Sequence, residues 1–163
     1  MSDIQQQPEP QQLKQRRQTN LPHLLLQATH VLNDRLIREL HRRGHTDLRN
    51  AHSALLANLD IEGTRLTVLA ERAGMTKQAM AELLLDLEQK GYVERRPDPT
   101  DGRAKSVYFT QIGRQALRDA LDIAGEIEAE FSAVLGKDGV QLLRLALTRT
   151  LTQAHLNRQA HAR

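Results

Sequence analysis

The loop sequence PDPTDGR at residues 97–103 places an arginine at the end of a stiffened turn. Pro97 and Pro99 restrict the backbone, and Asp101 followed by glycine is a typical turn signal. Asp101 is also near enough in sequence to orient the guanidinium of Arg103. A guanidinium held at a hairpin tip suits the narrow minor groove of DNA, where the negative potential is strongest. The alternative is a surface turn with an exposed ion pair, which requires neither the two prolines nor the oriented arginine.

Basic side chains flank this loop along the two strands that it is expected to join. Arg95 and Arg96 precede the loop and Lys105 follows it, and we expect all three to meet phosphate groups. Asp98 and Asp101 lie beside these cations, which favour the ionised form of a carboxyl group. The loop therefore predicts anion binding rather than acid–base chemistry.

The segment KQAMAELLLDLEQK at residues 77–90 carries a second pattern with chemical content. Gln78, Glu82 and Gln89 share one side of a helix, and Leu85 also points outward there, which a core position does not explain. At 100° per residue, the apolar residues of the opposite arc predict the side that faces the core: Met80, Leu83, Leu84 and Leu87.

Small and hydrogen-bonding residues at the start of this helix suit the major groove of DNA. Glutamine pairs with adenine through two hydrogen bonds, lysine reaches guanine or phosphate, and alanine leaves room for a thymine methyl group. The hydroxyl of the capping threonine and the free amides beside it can also bind a phosphate. The expected DNA contacts are Thr76, Lys77, Gln78, Ala79, Ala81 and Glu82. An ordinary amphipathic helix with a solvated polar face remains the alternative.

Several enzyme and metal chemistries have no support in the sequence. The chain has no cysteine, which excludes disulfides, thiolate zinc sites and peroxide sensing by a thiol. His41 and His45 have the i, i+4 spacing of a metal-ligand pair, but Gly44 is expected to end the helix between them. No glycine-rich phosphate loop or nucleophile motif is present. We therefore expect no enzyme activity, no metal and no cofactor.

Composition sets broad limits on the fold and its partners. Of the 163 residues, 39% are hydrophobic, which is enough for the core of one small domain. A net charge of +3 permits nucleic-acid binding without requiring it. No apolar run approaches the roughly 18 residues that span a bilayer, and no signal peptide is visible, so we expect a cytoplasmic protein without membrane contact.

The spacing of apolar residues predicts a mainly helical chain with one small β-hairpin, which is an α+β fold. A first helix is expected from Leu21 to Gly44, and Asp47 is expected to cap a second helix that continues to Leu59. An extended piece covers residues 63–67, after which Thr67 is expected to cap a short helix. Gly74 is expected to end that helix, two residues before the polar-faced helix begins.

The rest of the chain predicts a hairpin followed by long helices. Strands are expected at residues 92–96 and 105–110, on either side of the arginine loop. Thr110 is expected to cap a long helix, which glycines interrupt between 136 and 139 before a final helix at 140–156. Two short helices joined at Gly74 and followed by a hairpin make a helix-turn-helix with a wing.

Residues 65–113, RLTVLAERAGMTKQAMAELLLDLEQKGYVERRPDPTDGRAKSVYFTQIG, closely resemble the core of MarR-type transcriptional regulators. That family has a leucine–alanine pair in the first short helix, then a recognition helix, G-[YL]-[VI]-x-R, D-x-x-D-x-R, and a threonine before a glycine. The matching residues here are Leu69–Ala70, Thr76–Lys90, Gly91–Arg95, Asp98–Arg103, and Thr110 ahead of Gly113. The resemblance implies that residues 97–103 form the wing tip and present Arg103.

The resemblance implies a homodimer whose N- and C-terminal helices interlock and which binds a palindromic operator in double-stranded DNA. The long helices agree with this, because they carry more apolar side chains than a small winged core can cover. The organisation expected is a disordered tail at 1–20, a dimerisation helix at 21–45, a winged helix-turn-helix domain at 46–112, C-terminal dimerisation helices at 113–156 and a tail at 157–163.

Regulators of this family usually repress transcription and release DNA when a small aromatic or phenolic anion binds. The resemblance places such an effector between the dimer helices and the DNA-binding lobe. The candidate lining residues are Leu24, Ala28, Arg49, His52, Leu55, Leu56 and Arg65. His52 has an alternative role as a hydrogen-bonded histidine in a half-buried position. A winged helix that binds another protein without specific DNA binding is the alternative function, and outward Leu85 is the residue that favours it.

Overall fold

The computed structural model describes residues 10–101 and 103–161, with side chains up to residue 154. The expected turn glycine Gly102 and the ends of both predicted tails therefore lie outside the described residues. The described chain forms two compact units, one up to Leu117 and one from Arg118 onward. Its elements are α1 (Pro10–Thr19), α2 (Leu21–Arg42), a 3-10 turn (Asn50–His52), α3 (Ser53–Leu56), β1 (Thr64–Arg65), α4 (Leu66–Ala73), α5 (Lys77–Gln89), β2 (Val93–Pro97), β3 (Lys105–Phe109) and α6 (Gln111–His161).

The N-terminal part of the described chain is more helical than the sequence predicts. Helix α1 covers Pro10–Thr19, where a disordered tail was expected, although none of its residues is buried. Asn20 separates it from α2 and caps α2 by accepting a hydrogen bond from the amide of His23 at 2.9 Å. The same Asn20 side chain donates to the carbonyl of Arg17 at 2.7 Å. One asparagine thus ends α1 and begins α2.

The second predicted helix is shorter than expected and is not capped by Asp47. It consists of the 3-10 turn at Asn50–His52 and the single-turn helix α3. The ring of His41 contacts the carbonyl of Leu48 at 2.7 Å, and the amide of Arg49 donates to His52 Nδ1 at 3.1 Å. Because side chains already satisfy these backbone groups, the helix begins later than its apolar spacing indicates.

Helices α4 and α5 form the helix-turn-helix. Helix α4 begins directly after β1, with the extended Arg65 in the N-cap position instead of the expected Thr67. Gly74 ends α4 in a left-handed conformation with φ of 64°, which glycine adopts without a steric penalty. The amide of Met75 then donates to the carbonyl of Ala70 at 2.9 Å and closes the turn. The predicted stop at Gly74 is confirmed.

A three-stranded antiparallel sheet forms the wing, in the order β1-β3-β2. The hairpin of β2 and β3 has the expected position, with Arg95 opposite Val107 and Pro97 opposite Lys105. The two-residue strand β1 pairs with the other side of β3 and places Arg65 opposite Ser106. This pairing brings Arg65 to the base of the wing, which the sequence alone did not indicate.

The core of the first unit joins the helix-turn-helix to the sheet. Thr110 caps α6 by accepting a hydrogen bond from the amide of Gly113 at 3.1 Å, and its hydroxyl donates to the carbonyl of Gly91 at 2.5 Å. A Cβ at Gly113 would lie 1.9 Å from the carbonyl oxygen of Tyr92, so only glycine fits this approach. The buried apolar residues include Leu40, Leu48, Leu55, Leu59, Leu69, Met80, Leu84, Leu87, Val93, Val107 and Phe109.

Helix α6 changes direction at one glycine. Gly136 has φ of 72° and ψ of 163°, values outside the helical region, and it separates residues 111–135 from 137–161. The predicted interruption is thereby confirmed, and the helix after it continues five residues beyond the expected end at Leu156. None of the helices in the described part of the chain is long and apolar enough to cross a membrane.

Candidate nucleic-acid interface

Helix α5 is held by an apolar side that packs into the core. Met80, Leu84 and Leu87 are almost completely buried, as the 100° spacing of the sequence predicts. Thr76 caps the helix, because its hydroxyl accepts a hydrogen bond from the amide of Ala79 at 3.2 Å. The predicted cap and three of the four predicted core residues of α5 are confirmed, whereas the fourth, Leu83, is only half-buried. The opposite side of the helix therefore has a fixed direction.

The opposite side of α5 is solvent-exposed and mostly polar. Thr76, Lys77, Gln78 and Glu82 are exposed, and Ala79 and Ala81 are half-buried between them. These six residues are the ones that the sequence predicts as DNA contacts, and the structure places them together at the start of one helix. Leu85 lies on the same exposed side. The arrangement offers hydrogen-bonding groups at the N-terminal end of a helix, the part that reads base edges in helix-turn-helix proteins.

The wing is organised around Asp98, whose carboxylate is buried although the chain nearby is exposed. One carboxylate oxygen accepts hydrogen bonds from Arg65 Nε and from the hydroxyl of Ser106, each at 2.8 Å. The other accepts from the hydroxyl of Thr100 at 2.6 Å and from its amide at 2.9 Å. The amide of Asp98 itself donates to the carbonyl of Ala104 at 3.0 Å, across the mouth of the loop. Asp98 therefore ties the tip of the wing to all three strands.

These contacts keep Asp98 ionised. The hydrogen bond from Arg65, followed by those from Thr100 and Ser106, holds the pKa of this carboxyl far below its usual range. A buried carboxylate with this many donors is a rigid anchor because each donor stabilises the charged form. The expectation that Asp98 stays ionised agrees with this geometry.

Arg103 is presented at the wing tip, but Asp101 does not hold its guanidinium as the sequence predicts. Asp101 accepts a hydrogen bond from the backbone amide of Arg103 at 3.2 Å, and its second oxygen lies 3.7 Å from Arg65 Nη2. Within the described residues, the exposed guanidinium of Arg103 has no hydrogen-bond or ion-pair partner. The turn fixes the backbone of Arg103 and leaves its charged group available to a ligand.

The arginines on β2 differ from Arg103, because carboxylates already pair with them. Arg95 makes a bidentate ion pair with Glu88 of α5, with distances of 2.9 Å and 2.6 Å. Arg96 pairs with Glu94, and its guanidinium carbon lies 5.4 Å from the centre of the Tyr108 ring.

Lys105 is exposed at the start of β3. Of the four cations expected to meet DNA here, Arg103 and Lys105 are the two that make no ion pair within the described residues.

A second polar cluster anchors α5 at Asp86. This carboxylate accepts hydrogen bonds from Lys90, from Arg49 and from His52 Nε2, the last at 2.7 Å. His52 is fully buried, and its Nδ1 accepts from the amide of Arg49, so Nε2 must carry the proton that it donates to Asp86. Burial lowers the pKa of His52, and the hydrogen bond to Asp86 offsets part of this effect. The donors, Lys90 first, lower the pKa of Asp86.

The structure does not gather the predicted effector residues into one lining. Arg49 and His52 point to Asp86, and Arg65 binds Asp98 in the wing. Leu55 is fully buried in the core, whereas Leu24 is half exposed on α2. Ala28 is exposed and Leu56 is half-buried. The sequence carried no signal for this division, because each polar partner lies more than thirty positions away in the chain.

The histidines that have ligand spacing are engaged in other contacts. His41 binds the carbonyl of Leu48, and His45 packs against Tyr92 with ring centres 5.8 Å apart. Among the described residues, no group of three histidine, cysteine, aspartate or glutamate side chains is placed to hold a metal ion.

Sequence reasoning missed three organising carboxylates: Asp86, Glu88 and Asp98. Asp98 has a local signal, because an aspartate that precedes Pro-Thr can bond the backbone two residues on. Asp86 and Glu88 lie on a helix, where each looked like an ordinary solvated acid. Their roles depend on cations contributed by other elements.

Comparison with known proteins agrees with the winged helix-turn-helix fold. The model of the MarR family matches residues 46–104. The transcriptional regulator HosA of Escherichia coli O111:H- is 31% identical over 103 residues, which cover 63% of this chain and 76% of HosA. HosA of the O127:H6 strain is 31% identical over 91 residues, covering 56% of this chain and 67% of HosA.

Solved structures share the fold at lower sequence identity. The transcriptional regulator SlyA has a TM-score of 0.69 at 16% identity, with 85% of this chain and 96% of SlyA covered. The S. aureus MepR–DNA complex has a TM-score of 0.65 at 20% identity, with 83% of this chain and 96% of MepR covered. The winged helix-turn-helix fold and the relatives, which are transcriptional regulators rather than enzymes, support the same family assignment. The chain belongs to the MarR family of DNA-binding transcriptional regulators.

Proposed function

We propose that this protein is a ligand-responsive repressor that binds an inverted repeat in double-stranded DNA as a homodimer in the cytoplasm. The observation that carries the proposal is that one compact unit presents both the exposed start of α5 and the wing residue Arg103, whose guanidinium has no partner among the described residues. A helix of this kind fits a major groove, and an arginine on a hairpin tip fits the adjacent minor groove. MepR, which shares the fold, has been solved in complex with DNA.

The individual DNA contacts follow from exposure and pairing. Gln78 and Glu82 are proposed to meet base edges, while Lys77 and the capped helix start at Thr76 meet phosphate. Ala79 and Ala81 permit close approach because they are small. In the wing, Arg103 enters the minor groove and Lys105 meets phosphate. Arg95 and Arg96 contribute to the field around the wing, but their carboxylate partners reduce their net charge.

Exposed leucines on α2 and α6 support a dimer. Single exposed apolar residues are normal on a surface, but runs of them along helices mark an interaction site. A second copy of the chain would cover both runs and would place two α5 helices about 34 Å apart, which is one turn of DNA. The exposed residues are Leu21, Leu24, Leu25, Leu26 and Val31 on α2, and Leu121, Val134, Leu135, Leu142, Leu145 and Leu151 on α6.

The proposed effector is a small aromatic or phenolic anion. The exposed guanidinium of Arg49 joins the segment before α3 to Asp86 of α5. An anion that paired with Arg49 would compete with Asp86 and loosen one anchor of α5. Such a ligand shifts the protein away from the DNA-binding form only if it binds the other form more tightly.

The test is selection of bound duplexes from a random pool, repeated with candidate phenolic acids present. We expect an inverted repeat whose half-sites are one helical turn apart, and a weaker yield when an effector is added. Light scattering of the purified protein is expected to give the mass of two chains. A monomer that enriches no sequence would contradict the proposal.

The second candidate function is a winged helix that docks on another protein, which the exposed Leu85 favours. Salt separates the two functions, because contacts to several phosphates lose affinity steeply between 50 and 200 mM salt whereas apolar docking does not. Repression is tested with a promoter–reporter pair that carries the selected repeat: deletion of the gene is expected to raise expression, and a fall would indicate an activator.

A further inference from the structure

Leu85 is an apolar residue in an otherwise polar position. It is 51% exposed, although the adjacent Leu84 and the nearby Leu87 are buried in the core. Exposure of a leucine side chain to water is unfavourable, and this cost is relieved when a ligand covers the side chain. Neither the core nor the wing contacts described above explain a leucine here.

The direction of Leu85 places it in the proposed groove-reading surface. At 100° per residue, Gln78, Glu82, Leu85 and Gln89 lie within about 60° of one another on α5. This stripe is opposite the buried Met80, Leu84 and Leu87. Leu85 therefore shares the surface with Gln78 and Glu82 and does not belong to a separate face.

The reach of Leu85 agrees with a contact inside the groove. Side chains of a helix lean toward its N-terminus, so Leu85 covers the turn that contains Ala81 and Glu82. Gln78 and Leu85 are seven residues apart, which corresponds to about 10 Å along the helix and to three base-pair steps. A helix lying along the groove can thus bring both residues to the bases of one half-site.

We propose that Leu85 reads the C5-methyl group of one thymine in each half-site. An aliphatic side chain cannot form hydrogen bonds with phosphates or with the donors and acceptors of the base edges. The C5-methyl group of thymine is the apolar group that the bases present in the major groove. A protein-docking role fits less well, because the large residues one turn from Leu85 along this side of α5 are the polar Glu82, Glu88 and Gln89, and a docking surface is normally a contiguous apolar patch. The inference rests on the proposed DNA-binding function and adds a specificity determinant to it.

The experiment uses the full-length protein and the duplex selected from the random pool. Each thymine of a half-site is replaced in turn by deoxyuridine, which removes only the methyl group. We expect one position per half-site at which this replacement weakens binding by about three- to five-fold, the value of one buried methyl group. Leu85→Ala is expected to bind the thymine duplex more weakly and to lose the difference between thymine and uracil at that position.

Ile61→Ala is the matched control, because Ile61 is also exposed and lies outside α5. It is expected to keep the wild-type preference for thymine. The inference is overturned if no thymine responds in the wild type, if the half-site has no thymine, or if Leu85→Ala keeps the full preference. Each of these outcomes leaves specific DNA binding intact. Failure to select any duplex would overturn the proposed function itself and this inference with it.

Discussion

Helix α5 and the wing are both proposed to enter DNA, but the chain fixes them in different ways. Helix α5 is held by Met80, Leu84 and Leu87, which are buried side by side in an apolar core. The wing tip is held by one buried carboxylate, Asp98, which accepts hydrogen bonds from side chains and backbone of several segments. Apolar anchoring is spread over many contacts, whereas polar anchoring depends on the partners of one group.

This difference predicts how each element fails. Loss of one apolar anchor of α5 lowers the stability of the whole unit, because the same side chains form its core. Loss of Asp98 leaves that core intact and disorganises the wing alone. Mutations can therefore separate damage to the fold from damage to the DNA contact.

The largest expected effect is that of Leu84→Ala, which removes a fully buried anchor of α5. Truncation of a buried leucine costs about 2–5 kcal/mol of unfolding free energy. The control is the adjacent Leu85→Ala, which is expected to change stability by less than about 0.5 kcal/mol because Leu85 is exposed. Urea denaturation at a fixed protein concentration measures both, and equal losses would show that α5 is not anchored as described.

Asp98→Asn is expected to reduce operator affinity by about ten-fold or more, which is the next largest effect. The amide keeps the size of the carboxylate but loses its charge, so Arg65 loses the nearer of its two carboxylate partners and the hydrogen bonds that fix the loop are weakened. The matched control is Asp101→Asn at the same loop, whose exposed carboxylate makes fewer contacts. Fluorescence anisotropy with labelled operator measures both variants. A larger loss in Asp101→Asn would reassign the organising role to that residue.

The contrast also explains which features the sequence reveals. The core side of α5, the cap at Thr76 and the stop at Gly74 follow from spacing and from local hydrogen bonding, so they are visible in a short stretch of residues. The hairpin is visible for the same reason. These local rules predict the helix and the hairpin on which the candidate interface residues lie.

The polar anchors follow from contacts between distant positions, which have no periodic signature. Asp98 meets Arg65 only because β1 pairs with β3, and β1 is two residues long. Asp86 meets Arg49 and His52 across more than thirty positions. Asp101 was expected to hold the guanidinium of Arg103, but it accepts a hydrogen bond only from the Arg103 amide, and Asp98 organises the loop instead. The sequence shows two similar acids, and only the fold decides which one is buried.

Arg103→Ala tests the DNA contact of the wing tip directly, without disturbing the loop that carries it. We expect operator affinity to fall by about five-fold while the dimer and its stability remain unchanged, because the guanidinium is exposed and has no partner in the part of the chain that the structure describes. This loss should be smaller than that of Asp98→Asn, which displaces the whole tip. Operator affinity is measured by fluorescence anisotropy, and light scattering checks that the protein remains a dimer. Unchanged affinity would remove the wing tip from the mechanism.

The smallest expected effect concerns pH and the second polar anchor. Burial lowers the pKa of His52, so the unfolded chain takes up a proton near the ordinary pKa of 6.5 while the folded chain does not. Stability contributed by neutral His52 is therefore complete above pH 6.5 and declines as pH falls below it. Asp86 does not contribute in this range, because its lowered pKa matters only below the ordinary pKa of an aspartate, 3.8.

The melting temperature of the wild type is thus expected to fall by a few degrees between pH 7.5 and pH 5.5. His52→Gln is expected to be less stable at pH 7.5 but to lose less on acidification, because no buried imidazole remains to be protonated. His30→Gln, at an exposed position of α2, is the control and should keep the wild-type slope. An unchanged slope in His52→Gln would mean that Asp86 compensates the proton on His52 fully. The polar anchor of α5 would then be as insensitive to pH as its apolar one.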